Sequence, residues 1–130
     1  MKDKIAKIMD NGFYKNNGFD VVELTKEKCI MEYQIKESGL NPYNIVHGGI
    51  MFGLADTCAG VLSSVGGRIP VTTNANINYL KEANGSKLLA EATILKEGNK
   101  LGYYNVNIYN DQNELVAQAN VNMYFISKEK

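Results

Sequence analysis

Two periods organise the hydrophobic positions of this chain. In residues 115–125 the apolar Leu115, Ala117, Ala119, Val121, Met123 and Phe125 alternate with Gln118, Asn120 and Asn122, the two-residue period of a strand with one buried face. Cys29, Met31, Tyr33 and Ile35 alternate in the same way with Ile30, Glu32 and Gln34. In Val71–Leu80, Val71, Thr73, Ala75, Ile77 and Tyr79 take one side and Thr72, Asn74, Asn76 and Asn78 the other. Phe19–Leu24, Lys87–Lys96 and Tyr103–Asn110 complete the predicted strands, with turns at Asn84-Gly85, Gly98-Asn99 and Asn110–Glu114. Between the early and late strands the period lengthens. From about Gly48 to Ser64 it is helical and apolar nearly all round, which predicts an interior helix, with Gly66-Gly67 as its stop. Residues 38–46 are turn-rich, and Pro42 discourages helix there. Ile5, Ile8 and Met9 predict a short amphipathic helix over residues 3–9. The fold class expected is α+β: one long central helix wrapped by an antiparallel sheet of five to six strands, plus a short N-terminal helix.

Composition narrows the function classes. The 130 residues fit a single domain spanning 1–130, and 45% hydrophobic content supports a packed core. Lys plus Arg and Asp plus Glu each total 14; with no basic block, no nucleic-acid partner is expected, though a few cations can still meet a small anionic ligand. The first residues lack a continuous apolar core, so no signal peptide is expected. The longest uncharged stretch, Ser38–Ala55, holds a proline and four glycines, and no membrane span is expected. Cys29 and Cys58 make no disulfide framework, and one histidine cannot build a usual zinc cluster. The expectation is a cytoplasmic protein with no metal and no cofactor.

The candidate chemistry lies in IVHGGIMFGLADTCAG, residues 45–60, an apolar run with one carboxylate, Asp56. Gly49, Gly53, Asp56 and Gly60 follow spacings of four, three and four and so share one helix face. Glycines on that face permit close packing, but packing alone would put Ala or Ser where Asp56 stands. At the helix start, free backbone N–H groups and the positive dipole end form an anion site that Gly48 and Gly49 leave open, suited to a carbonyl oxygen that becomes negative in a transition state. His47, the only histidine, either caps this helix or contributes to chemistry. Eight residues separate Gly48 from Asp56, about 12 Å at ~1.5 Å each. One carbonyl cannot meet both groups on one helix, so a site that uses both takes Asp56 from a second subunit.

These features resemble the hotdog-fold acyl-CoA thioesterases of the phenylacetate-degradation type. The match consists of Asn41, His47-Gly48-Gly49 six residues later, and Asp56 nine residues after the histidine. TTNANINYLKEA (residues 72–83) resembles the strand that follows the helix in that family, and the Gly98-x-x-x-Gly102 hairpin and last strand fit as well. The resemblance covers roughly residues 13–127 and implies a hotdog fold that hydrolyses an acyl- or aryl-CoA thioester. It assigns Asp56 as general base or nucleophile, the Gly48 N–H as the thioester-oxygen donor, and Asn41 as a loop amide that holds the thioester or water. His47 would orient the loop and helix start, Thr72 would position the water, and Gly49 would line the substrate site. Lys81, Lys96, Lys100 and Arg68 are the cations assigned to the coenzyme A phosphates. A homodimer is implied, pairing further into a homotetramer. Two other functions compete: a hotdog hydratase or dehydratase, disfavoured because His47 has no second local acid–base partner, and a non-catalytic acyl-CoA-binding protein, disfavoured by Asp56. Cys58 lies two positions from Asp56 and off its face, which reads as a small buried residue.

Overall fold

A computed structural model describes residues 1–128. Two short helices open the chain, α1 (Lys2–Met9) and α2 (Gly12–Asn17). Strands β1 (Phe19–Leu24) and β2 (Lys28–Gln34) follow, then a 3-10 turn at Glu37–Gly39 and the long helix α3 (Gly48–Ser63). The chain ends in β3 (Arg68–Tyr79), β4 (Lys87–Glu97), β5 (Leu101–Asn110) and β6 (Leu115–Lys128). The strands form one six-stranded sheet in the order β1-β2-β4-β5-β6-β3, and each neighbouring pair is antiparallel. The central helix, the wrapped sheet and the short N-terminal helix agree with the architecture read from the sequence. The second helix, α2, was not foreseen. It is too short to show a period and is set by its ends: the Asn11 side chain accepts from the Tyr14 N–H, and Gly18 closes it at a left-handed φ of 72°.

The core lies between α3 and the concave face of the sheet. Met51, Leu54, Ala55, Cys58, Ala59, Val61 and Leu62 of α3 are buried against Met31, Tyr33, Ala90, Val106, Ile108 and Val121 of the strands. The opposite side of α3 is different: Gly49 and Phe52 are exposed, while Gly53, Asp56 and Gly60 are half-buried. α3 ends where Ser63 and Ser64 hydroxyls donate to the Gly60 and Val61 carbonyls, and Gly67, at φ 82°, turns the chain into β3.

Two strand faces differ from the alternation expected. In β3, Thr72 pairs with Met123 and Asn74 with Asn122, so Thr73 is an extra, unpaired residue. This bulge shifts the phase of the strand. Ala75 and Ile77 pack on the core as expected, but before the bulge Thr72 faces α3 and Val71 is exposed. In β6, Ile108 pairs with Ala117 and Tyr109 with Leu115. The residue skipped, Val116, is fully buried, whereas Leu115, expected on the core face, is exposed.

Candidate active site

The half-buried Asp56 stands on the open side of α3, and the bulged β3 brings Thr72 to it: the Thr72 hydroxyl donates to Asp56 Oδ1 at 2.6 Å. Both line a cavity of about 700 Å³ whose walls include Ile8 of α1, Phe13 and Tyr14 of α2, Gly60 of α3 and Met123 of β6. The N-terminal helices thus form one wall of the cavity that holds the carboxylate. Burial, and then the Asp56 charge, push the Tyr14 phenol above its ordinary pKa, so it stays protonated beside the carboxylate. The sequence reading missed Tyr14. The spacing Asn11-x-x-Tyr14 to Gly18, a cap at each end of six residues, is the signal that could have placed it.

The start of α3 forms a second cluster. The His47 imidazole caps the helix, Nδ1 accepting from the Gly49 N–H at 2.8 Å. The Tyr79 hydroxyl donates to the Gly48 carbonyl at 2.7 Å. A Cβ added to Gly48 would lie 3.0 Å from that hydroxyl, so a larger residue there would press on the Tyr79 side chain. The Gly48 N–H has no acceptor among the described residues. Asn41 Oδ1 accepts from the Tyr43 and Ile45 N–H groups at 2.9 and 3.2 Å, which ties the loop into a turn and leaves the side-chain amide as a donor. That loop is anchored by His47 N–H donating to the Gly39 carbonyl and Val46 N–H to the Ala83 carbonyl.

The structure therefore joins Thr72 to Asp56, and His47 to Gly48 and Gly49, but it keeps the two clusters apart. α3 is unbroken from Gly48 through Asp56, a separation of about 12 Å along its axis.

The candidate cations divide between the two ends of α3. Lys81 lies just past Tyr79 and pairs with Glu114 at 2.6 Å; this contact holds the Glu114 carboxyl below its usual range. Arg68 lies beyond the other end. Its guanidinium donates to the Gly98 and Asn99 carbonyls at 2.6 and 3.4 Å, sits 3.7 Å from Glu97 and stacks 3.6 Å above the Phe125 ring. Lys96 and Lys100 are exposed on the same β4–β5 hairpin. Cys58 is buried, with Sγ donating to the Cys29 carbonyl at 3.2 Å, and burial pushes its thiol well above the ordinary pKa, so it is no thiolate nucleophile. Among the described residues no three His, Cys, Asp or Glu side chains converge as a metal site, and no helix is long and apolar enough to cross a membrane.

Comparison with known proteins bears on this geometry. A family model described as the thioesterase superfamily matches residues 43–117, a span that holds His47, Gly48, Gly49, Asp56, Thr72 and Tyr79 and begins after Asn41. Mouse acyl-coenzyme A thioesterase 13 is 29% identical over 127 residues, 89% of this chain and 88% of that one. Escherichia coli acyl-coenzyme A thioesterase PaaI is 28% identical over 101 residues, 77% of this chain and 72% of the relative. The solved structure of the E. coli PaaI protein superposes with a TM-score of 0.90 at 24% identity, covering 95% of this chain and 91% of that one. A Streptococcus mutans protein solved bound to acetyl CoA is 31% identical, with a TM-score of 0.82 over 86% of this chain and 91% of that one.

Proposed function

The chain belongs to the thioesterase superfamily and has its hotdog fold, and from that premise we propose that it hydrolyses acyl- or aryl-CoA thioesters in a site shared between two copies of the chain. The observation that carries the site is the Thr72–Asp56 hydrogen bond at 2.6 Å. It fixes one carboxylate oxygen with a neutral hydroxyl and leaves the other to the cavity, as a base or nucleophile requires. The acyl-coenzyme A thioesterases among the relatives and the acetyl CoA bound to the S. mutans protein support the substrate class.

Three features support the shared site. The ~12 Å between Gly48 and Asp56 denies both to one carbonyl within a chain. An alanine methyl at Gly53 or Gly60 would make only ordinary contacts, no closer than 3.6 Å, within the chain; those glycines suit a second helix approaching the same face. β3 is the last strand of the sheet and exposes Ile69 and Val71, an edge that a second β3 would cover. In the resulting dimer, Asp56 of one copy faces Gly48 and Asn41 of the other, twice over. A tetramer would join two such dimers and needs no further site residue. The two free, buried cysteines suit a reducing, cytoplasmic setting.

In the reaction, the thioester oxygen accepts from the Gly48 N–H, and the Asn41 amide steadies the thioester or the water. Acting as base, Asp56 takes a proton from water as its oxygen attacks the carbonyl carbon. The tetrahedral oxyanion then collapses, the C–S bond breaks, and the coenzyme A thiolate leaves to be protonated. Acting as nucleophile, Asp56 attacks the carbonyl carbon and the C–S bond breaks to release the coenzyme A thiolate, leaving a mixed anhydride that water opens to the free acid and the Asp56 carboxylate. In a single turnover in 18O-water, label on Asp56 identifies the nucleophilic route with water attacking the aspartyl carbonyl, because general-base hydrolysis puts the label in the product acid alone. The His47 Nδ1–Gly49 bond makes this imidazole a cap, which disfavours the hydratase reading. Mixing Asp56→Asn subunits with Asn41→Ala subunits, each inactive alone, tests the shared site. Random exchange should restore about a quarter of wild-type turnover per subunit, because half the dimers carry one intact site of two. Mixed dimers, verified by mass, that stay inactive would defeat the proposal.

A further inference from the structure

The peptide unit joining Gly48 to Gly49 is held at both ends by side chains: its carbonyl accepts from the Tyr79 hydroxyl at 2.7 Å, and its N–H donates to His47 Nδ1 at 2.8 Å. We propose that Tyr79 is a positioning residue for the reaction, clamping this peptide together with His47 so that the adjoining Gly48 N–H keeps its aim at the thioester oxygen. This rests on the functional reading above and names a residue it did not use.

Two successive glycines have the widest backbone freedom of any dipeptide, and the first-turn N–H groups of a helix have no intrahelical acceptors to hold them. An oxyanion donor built from such a pair would lose its direction without an external constraint. The Tyr79 ring supplies one by lying against Gly48, and the hydroxyl supplies a second. Helix formation gives the Gly48 carbonyl its own backbone donor, so the hydroxyl is not needed to satisfy it. Tyr79 is also half exposed on an edge strand, where a core aromatic has little reason to sit. Burial raises the phenol pKa, so the proton stays available for donation. The bonds run in series, hydroxyl to carbonyl and amide to imidazole, and each polarises the next.

The β3 bulge makes this possible. Thr72 and Tyr79 are seven positions apart, an odd spacing that sends side chains to opposite faces of a regular strand. The extra Thr73 turns both toward α3, so one strand steadies Asp56 through Thr72 and the helix start through Tyr79.

The test is Tyr79→Phe, which keeps the ring against Gly48 and deletes the hydroxyl, in the full-length dimer, with Asp56→Asn as reference. Tyr79→Phe should lower kcat about tenfold with KM and melting temperature unchanged, the cost of a misaimed rather than missing donor. In 15N-glycine spectra the Gly49 amide should shift and exchange faster with solvent. Unchanged kcat with Asp56→Asn inactive overturns the Tyr79 assignment alone, as does a raised KM at full kcat. Near-normal turnover by Asp56→Asn instead overturns the functional reading, and the Gly49 spectrum then still decides whether the clamp exists.

Discussion

Polar side chains at the two ends of α3 do opposite things. Beyond its C-terminus, Arg68 is satisfied by two carbonyls, Glu97 and the Phe125 face. The buried Tyr104 hydroxyl donates to Glu97, and burial with the Glu97 charge holds that phenol far above its ordinary pKa. From the loop before the helix to its middle, the groups of the candidate site are each held but left with capacity. Asp56 keeps an oxygen toward the cavity, Asn41 has its oxygen in a turn, and among the described residues the Gly48 N–H lacks an acceptor and the Asn41 amide a partner. The difference separates structural from chemical polarity: a fully satisfied group stabilises, whereas a fixed group with one open valence can meet a substrate.

Substitutions at both ends can break this contrast. The largest effect is expected for Asp56→Asn, which should lose roughly 10²–10⁴ in kcat without lowering the melting temperature, since a neutral near-isostere is the easier group to bury. A lowered melting temperature would make Asp56 a structural residue after all. In the same variant the Tyr14 titration should move to lower pH: removing the neighbouring negative charge favours the phenolate, while burial still keeps its pKa above the ordinary value. Next comes the Gly48 N–H. Proline would delete it, but any Cβ at Gly48 crowds the Tyr79 hydroxyl at 3.0 Å, so an amide-to-ester exchange there is the cleaner probe. It should cost about 10²–10³ in kcat for every acyl-CoA accepted, and unchanged kcat would move the oxyanion donor elsewhere. The smallest effect is expected for Arg68→Met, losing about 1–2 kcal/mol of stability as the stacking and hydrogen bonds disappear, with kcat preserved. A raised KM for CoA esters in this variant would instead give Arg68 a place at the phosphates and blur the contrast.

The helix and the strands were legible because their periods are long and clean. What the sequence hid depends on single residues. The inserted Thr73 and Val116 leave no mark in composition, yet each changes which neighbours face inward, so Val71 and Leu115 were placed on the wrong side. Asp56 stood out because a carboxylate in an apolar run demands a reason. His47 and Asn41 were readable as turn and cap groups or as chemistry, and only the hydrogen bonds of Nδ1 and Oδ1 say which atoms are occupied. The hydrogen-bonding and ionic partners of Arg68 and Lys81 lie 29 to 33 positions away, beyond any local pattern. Tyr79 was legible only as a member of one strand face, because a period reports a face and not what the hydroxyl touches, and Tyr14 lies in a helix too short to show a period.

The bulge has a genetic corollary. Position 73 is the one place in β3 where loss of a codon would leave the faces of all its neighbours intact, because Thr72 and Asn74 already pair with adjacent residues of β6. With the bulge kept, the same loss anywhere from 74 to 78 would turn Tyr79 outward while Thr72 stayed at Asp56. Length differences among relatives should therefore collect at 73 and avoid the positions after it, and an ungapped comparison across that point would set the threonine hydroxyl one column out of place.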